Sequence, residues 1–148
     1  MNSLRIRIAA IIIKDNKLLL VKHCKYDKSY WLLPGGGIEI GETLDGCVKR
    51  ELKEELRIRV VSFEFLFLVE SISYDGRHLI QPTFLIKEAD MDNLSLGSDK
   101  RVCGFDFFSV NKLKDITIYP DINDELILIL NMGTKAIGKR YILKKWKD

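Results

Sequence analysis

The feature that most constrains this chain is a glycine loop running directly into an acidic, helix-forming segment: Gly35-Gly36-Gly37-Ile38-Glu39-Ile40-Gly41-Glu42-Thr43, then Leu44 to Leu56. If residues from about 43 to 56 are helical, Glu51, Glu54 and Glu55 fall at i, i+3 and i+4. That spacing places three carboxylates on one face, within reach of a common point. Like charges so placed repel, so the helix requires a counter-ion. Arg50 supplies one positive charge, and a divalent metal would supply more. The rest of the chain then reads as scaffold for this loop and helix, or as the wall of a pocket beside it.

Local signals agree with that helix. Thr43 is a suitable N-cap, and Asp45 places an anion in the first turn. The inward face is expected to be Leu44, Cys47, Val48, Leu52 and Leu56. Gly46 costs roughly 1 kcal/mol relative to alanine inside a helix, and a close helix-to-sheet approach would explain it.

Before the loop, Leu4 to Ile13 alternates at first, with Leu4, Ile6 and Ile8 set against Arg5 and Arg7, and then becomes wholly apolar. This predicts a strand that is one-sided in its first half and buried on both faces in its second. Asp15-Asn16 marks a turn and Lys17 to His23 a second strand. Tyr26, Asp27, Lys28 and Tyr30 read as a loop, and Pro34 fixes Leu33 as extended.

After the helix, Ile58 to Ser73 is β-branched and aromatic, a long strand with room for a bulge. Tyr74-Asp75-Gly76 signals a hairpin turn, with His78 to Lys87 as the partner strand. Pro82 within that run argues for an edge or a bulge. Residues 88–101 turn polar, as a surface loop does. Cys103 to Val110 is a further strand, and Lys112 to Ile118 a short helix or turn closed by Pro120. Asp121 to Leu130 is a helix capped by Asp121 or Asn123. The basic stretch from Thr134 to Asp148 adds a last strand at Arg140 to Leu143. The pattern predicts an α+β fold, a mixed sheet with helices packed on it.

Composition excludes several classes. A chain of 148 residues is most simply one domain with a sizeable core. A formal charge of +3 is too small to argue for a nucleic-acid partner by itself. The apolar run Ile8 to Ile13 is too short for a signal peptide, and nothing approaches the roughly 18 apolar residues of a membrane helix. Three widely separated cysteines (Cys24, Cys47 and Cys103) form no C-x-x-C pair, and His23 and His78 complete no zinc spacing. The expectation is buried or half-buried thiols in a reducing cytoplasm.

The loop and helix resemble the Nudix box of the Nudix hydrolases. Gly36 opens it, Glu42 follows after five residues and Arg50-Glu51 after seven more; Leu52 is the aliphatic position, Glu54-Glu55 the acid pair, and Ile58 closes the pattern. Trp31-Leu32-Leu33-Pro34-Gly35 is also similar to what leads into such boxes. One position departs: Arg57 stands where the family has glycine. Glycine takes the left-handed conformation past a helix end without strain, and arginine there costs roughly 1–2 kcal/mol if that geometry is kept.

The resemblance implies the Nudix α/β/α sandwich over most of the chain. It also implies hydrolysis of a diphosphate linkage in a nucleoside diphosphate joined to another group, with Mg²⁺ or Mn²⁺ as cofactor. Mg²⁺ prefers oxygen ligands in octahedral geometry and is often held by carboxylates and substrate phosphates together. By carry-over, Glu51, Glu54 and Glu55 are metal ligands with the Gly35 carbonyl as an added one. Arg50 orients the glutamates, Gly36 shapes the loop, and Glu42 braces it against the helix. Taking a proton from water needs a base. Glu54 and Glu55 are candidates inside the box, Asp106 and Asp99 downstream of it.

Substrate marks are sparser. Tyr74 lies sixteen residues past Ile58, where some dinucleoside polyphosphate hydrolases of the family have tyrosine, although a turn role suits it better. The proline that ADP-ribose hydrolases tend to have thereabouts is replaced by Ile72-Ser73. Arg5, Arg7 and Arg77 are candidate phosphate contacts, with solvated faces the preferred reading. Trp31 and Phe107 are candidate base-stacking residues, with core packing preferred. The partner expected is a small nucleotide, with neither a membrane nor, on balance, a nucleic acid; a homodimer is left open. Two rival classes remain: a nucleotide sensor that does not hydrolyse, and a prenyl diphosphate isomerase using Cys24 or Cys103. The intact set of box acids speaks against both.

Overall fold

The computed structural model describes residues 2–145. Two sheets and three α-helices make up the fold, in the order β1 (Ser3–Ile11), β2 (Ile13–Lys14), β3 (Lys17–Lys25), β4 (Lys28–Leu32), β5 (Gly35–Gly37), α1 (Leu44–Leu56), β6 (Arg59–Ile72), β7 (Arg77–Asp90), β8 (Val102–Phe108), α2 (Val110–Lys114), α3 (Asn123–Met132) and β9 (Tyr141–Lys145), with a 3₁₀ turn at Thr134–Ala136 before the last strand. The larger sheet runs β5-β1-β7-β6-β9, and the smaller joins β2, β4 and β8 to β3. Parallel pairs β1–β7 and β6–β9 stand beside antiparallel ones, so the sheet is mixed.

Strands β1 and β3 show why the chain forms a sandwich. Their apolar residues run without a polar break, so both faces must be covered. Ile8, Ala10, Leu19 and Val21 pack with Cys47, Val48, Leu52 and Leu56 of α1. Their neighbours Ala9, Ile11, Leu18 and Leu20 pack with Leu113, Ile122, Leu126 and Ile129 on the opposite side. One helix thus covers one face and two cover the other, giving the expected α/β/α arrangement.

The first half of β1 departs from its predicted sidedness. Leu4, Arg5 and Ile6 are all exposed, while Arg7 is only 7% exposed. Arg7 turns inward beside a cleft described below. Tyr26 and Asp27 are the turn of a β3–β4 hairpin, so Lys28 and Tyr30 lie in a strand and not in a loop. Strand β7 is central, between β1 and β6, so Pro82 marks no edge. Instead the β1–β7 ladder lapses opposite Gln81 and Pro82 and resumes at Ala9↔Thr83 in unchanged register, as expected for a residue without an N–H.

Helix α1 is fixed at both ends. The Thr43 hydroxyl accepts from the Gly46 N–H at 3.0 Å. A Cβ on Gly46 would crowd that same hydroxyl, so the cap, and not a close sheet approach, accounts for this glycine. At the other end Arg57 is left-handed, with φ 57° and ψ 34°. Its N–H donates to Lys53 O at 3.0 Å, and the Ile58 N–H donates to Leu52 O at 3.2 Å, a Schellman closure. The loop after β7 completes the cap: the N–H groups of Ser95, Gly97 and Ser98 donate to the carbonyls of Leu56, Glu55 and Glu54. Gly97 lies so close that a Cβ would overlap Glu54 O. That polar loop is therefore docked on the helix. Helix α3 begins without a side-chain cap; Asn123 instead donates to Leu113 O and Ile116 O and ties α3 to α2.

The cysteine expectation is corrected. Cys24 and Cys103 are exposed on the adjacent antiparallel strands β3 and β8, with Cα atoms 5.8 Å apart, and form a disulfide. Only Cys47 is free, and it is buried. The argument from three unpaired thiols to a reducing compartment therefore lapses. Among the described residues, no helix is long and apolar enough to cross a membrane. The predicted last strand forms one residue later than expected, at Tyr141–Lys145, and the end of the basic stretch lies outside the described residues.

The left-handed arginine gives a stability prediction. Arg57→Gly removes the Cβ clash of that conformation and is expected to stabilise the fold by about 1 kcal/mol, the entropy of the added glycine offsetting part of the gain. Urea denaturation measures it; a destabilised variant would mean that the arginine side chain contributes more than the strain costs.

Candidate functional site

Arg50 projects from the middle of α1 back over the glycine loop, and its guanidinium organises the acids around it. Its Nε donates to Glu42 Oε2 at 2.6 Å and its Nη2 to Glu42 Oε1 at 2.9 Å, a two-pronged pair. From Nη2 a further bond reaches Gly37 O at 3.1 Å. Nη1 donates to Glu51 Oε1 at 2.9 Å and to Glu54 Oε2 at 3.1 Å. Glu42 Oε1 also accepts from the Glu39 N–H at 3.2 Å, which closes the loop on itself. The arginine alone cannot neutralise three nearby carboxylates, so the cluster keeps net negative charge.

Protonation follows this geometry. Hydrogen bonds from Arg50 hold the Glu42 carboxyl down at about 2, and the same bond raises the guanidinium well above its ordinary value. Burial pushes Glu51 up, with Arg50 opposing. Burial, followed by a hydrogen bond with Glu42, pushes the Cys47 thiol up to about 12, so it remains a neutral packing residue.

The glycine loop includes edge strand β5, which brings backbone against Glu55 and against Glu51. Gly35 N donates to Glu55 Oε1 at 2.9 Å. A Cβ on Gly36 would overlap the Glu51 carboxylate, which explains the glycine that opens the box. Glu55 is 1% exposed. Its Oε2 is buried without a hydrogen-bond partner and lies 3.6 Å from His23 Nε2, which is equally unpartnered. The donor set of Glu51, Glu54, Glu55 and the nearby loop carbonyls is all oxygen, as Mg²⁺ or Mn²⁺ prefers. Among the described residues, no three acid, histidine or cysteine side chains already converge on one point. Arg50 stands between Glu51 and Glu54, and Glu55 is turned toward Gly35.

A cleft of about 1090 Å³ opens beside β5, lined by Arg5, Arg7, His23, Tyr30, Gln81 and Arg101 among others. Arg7 corrects the solvated-face reading. It is buried, donating from Nη1 to Gln81 Oε1 at 3.0 Å and from Nη2 to Leu33 O at 2.7 Å. Burial draws its pKa down, against the attraction of Glu55. Arg5 lines the cleft from an exposed position.

Other expectations separate here. Tyr74 is 93% exposed at the β6–β7 turn and lines no part of the cleft, so it is a turn residue. Asp106 is exposed on β8 and holds Lys112 Nζ at 2.6 Å. It pairs with Leu20, three residues along β3 from His23, and the structure does not bring it to the acidic cluster. Asp99 is nearer, within electrostatic range of His23, and is engaged by Arg101 through two bonds. Trp31 packs edge-on to Phe108 in the core, and Phe107 is half-buried against the α1 side. His23, Gln81 and Arg101 were missed from sequence. The signal for Gln81 was a polar residue ahead of a proline within an apolar strand; nothing local marks the other two.

Comparison with known proteins agrees with this arrangement. A family model described as the NUDIX domain matches residues 4–127. An ADP-ribose pyrophosphatase of Methanocaldococcus jannaschii is 34% identical over 110 residues, covering 73% of this chain and 63% of that protein. An 8-oxo-dGTP diphosphatase of Buchnera aphidicola is 38% identical over 60 residues, covering 39% of this chain and 46% of its own length. The chain thus spans less than two thirds of either relative. Among solved structures, the E. coli ORF135 protein superposes with a TM-score of 0.72 at 20% identity, over 93% of this chain and 96% of that one. A MutT NUDIX hydrolase from Burkholderia pseudomallei does so with 0.66 at 26% identity, over 75% and 87%.

The Arg50–Glu42 pair predicts an acid limit. Because the folded Glu42 carboxyl titrates below its ordinary value of 4.5, its contribution to stability is complete above that pH and is lost as pH falls toward about 2. Glu42→Gln is therefore expected to be less stable than the parent near neutral pH and to approach it in acid. Urea midpoints measured from about pH 7 to pH 3 read the difference; a gap that stays constant over that range would contradict the assignment.

Proposed function

The chain belongs to the NUDIX family, and on that premise we propose that it is a divalent-metal-dependent hydrolase. It cleaves the diphosphate bond of a nucleoside diphosphate joined to a further group. The observation that carries this reading is the Arg50 hub, in which one guanidinium binds Glu42, Glu51, Glu54 and the loop carbonyl of Gly37 together. An ornamental acidic surface needs no such brace.

Glu51, Glu54 and Glu55, with the Gly35 carbonyl, would hold Mg²⁺ or Mn²⁺. The buried and unpartnered Glu55 Oε2 is the atom that most requires such a charge. When bound, the ion neutralises the diphosphate and lowers the pKa of water. The chain's own residues supply the rest. Arg50 and Glu42 hold the loop against α1, so the acids keep their separation. Gly36 keeps Glu51 close to β5. Arg7, buried and cationic, draws the anionic substrate onto the cleft floor, with Arg5 at the rim. Glu54, the most open of the three box acids, is suited to take the proton from water. Glu54 accepts one bond, from Arg50 Nη1 at 3.1 Å, whereas Asp99 is held by two nitrogens of the Arg101 side chain and Asp106 by Lys112 at 2.6 Å.

A nucleoside triphosphate fits this cleft. The dinucleoside polyphosphate reading loses its support with Tyr74 outside it. ADP-ribose is the second reading, favoured by the archaeal relative. A non-hydrolysing sensor would not need every box acid retained.

A panel of nucleoside triphosphates, ADP-ribose, nucleotide sugars and dinucleoside polyphosphates, assayed for released phosphate or pyrophosphate, tests the proposal. Turnover is expected with Mg²⁺ or Mn²⁺ and none with a chelator. Glu54→Gln and Glu55→Gln are each expected to lower turnover at least about 100-fold, or about 2.7 kcal/mol, while remaining folded by circular dichroism. Parental turnover in both variants would sink the metal-site assignment.

A further inference from the structure

Gln81 is fully buried on central strand β7, at 0% exposure, yet it lines the cleft. Its amide orientation is determined by chemistry. Arg7 Nη1 is a donor, and a guanidinium has no acceptor, so the Gln81 atom facing it must be the carbonyl oxygen. The amide nitrogen is thereby turned away from Arg7, and it is buried without a hydrogen-bond partner. Two N–H donors left unmet in a buried position are an arrangement that protein interiors rarely keep. Beside them lies Arg7, which donates to Gln81 Oε1 and to Leu33 O, both neutral acceptors. The backbone at this point is also loosened, since the β1–β7 ladder lapses opposite Gln81 and Pro82.

We infer that Gln81, oriented by Arg7, donates from its unmet amide nitrogen to an acceptor oxygen of the ligand. The inference rests on the cleft being the nucleotide site. Gln81 normally reads as donor and acceptor together, which suits the amino and ring-nitrogen edge of adenine. Here one lone pair of Oε1 is taken by Arg7, and the group left unmet is the amide nitrogen. Its donors suit a keto oxygen of a base or an oxygen of the phosphate chain. This identifies Gln81 as a specificity-determining residue in addition to the box acids, and gives Arg7 a second role as the residue that sets the amide's orientation.

Equilibrium binding tests this without depending on turnover. The probes are the α,β-methylene analogues of GTP, UTP, ATP and CTP, and inorganic triphosphate, titrated calorimetrically into the parent, Gln81→Met and Gln81→Glu in Mg²⁺. Methionine keeps the volume and removes both donors; glutamate keeps an acceptor for Arg7 and removes both donors, so its cooperative unfolding controls for folding. Both variants are expected to bind about 5- to 10-fold more weakly wherever the donor is used. Weakening confined to the guanine and uracil analogues identifies guanine O6 and uracil O4, weakening confined to the uracil and cytosine analogues identifies the pyrimidine O2, and equal weakening of all five probes identifies the phosphate chain. Parental affinity of both folded variants for every probe overturns the inference. So does weakening of the adenine and cytosine analogues alone. If the parent binds the probes but hydrolyses no natural nucleotide, the proposed activity fails while the Gln81 variants still decide the recognition role. A parent that binds none of the probes overturns the inference, while the substrate panel still decides the activity.

Discussion

The bond network of Arg50 is the constraint on which the site depends. Helix α1 carries acids on a common face, an arrangement that opposes its own formation. By binding Glu42 through two nitrogens and reaching Glu51 and Glu54 with a third, Arg50 offsets part of that repulsion and ties the helix to the loop before it. Loop and helix become one unit. The unit is then pressed onto edge strand β5, where only a glycine at position 36 leaves room for the Glu51 carboxylate.

What holds this charged unit in place is apolar. The buried side of α1 packs on alternate residues of β1 and β3, and the other alternates meet α2 and α3. The helix end is satisfied twice, by its own Schellman closure and by N–H groups of the loop after β7. Over-determination of that kind allows a left-handed arginine at position 57, where the local preference is for glycine. The strain is local, and the tertiary contacts that outweigh it are distant in sequence.

The cleft illustrates the opposite balance. Arg7 and Gln81 form a buried polar pair that is only partly satisfied, next to a glutamate oxygen and a histidine nitrogen that also lack partners. Interiors usually avoid such groups; His23 and Gln81 line the cleft, and Glu55 Oε2 lies 3.6 Å from His23 beside it. The disulfide between Cys24 and Cys103 joins the two strands that carry His23 and lead to Arg101, so it links the same wall from outside.

How much was legible in the sequence follows from range. Thr43, the inward face of α1, the carboxylate spacing and the Asp15-Asn16 and Asp75-Gly76 turns were all readable, because helical period and turn chemistry act over a few residues. Sequence by itself therefore determined the spacing of the acids and the family pattern. It left open whether Arg57 keeps the left-handed geometry of the usual glycine, and it gave Arg50 and Glu42 roles only through the family resemblance; the structure joins those two side chains and makes Arg57 left-handed. Only the tertiary structure decided that Arg7 points inward, that Tyr74 stands clear of the cleft, that Asp106 is removed from the acids, and that Cys24 meets Cys103. Each of these depends on which strands lie side by side, and alternation along a strand says that a face exists without saying what it faces. Gln81 is the sharpest case: it is one polar residue in an apolar strand until β1 is laid beside it and Arg7 orients its amide.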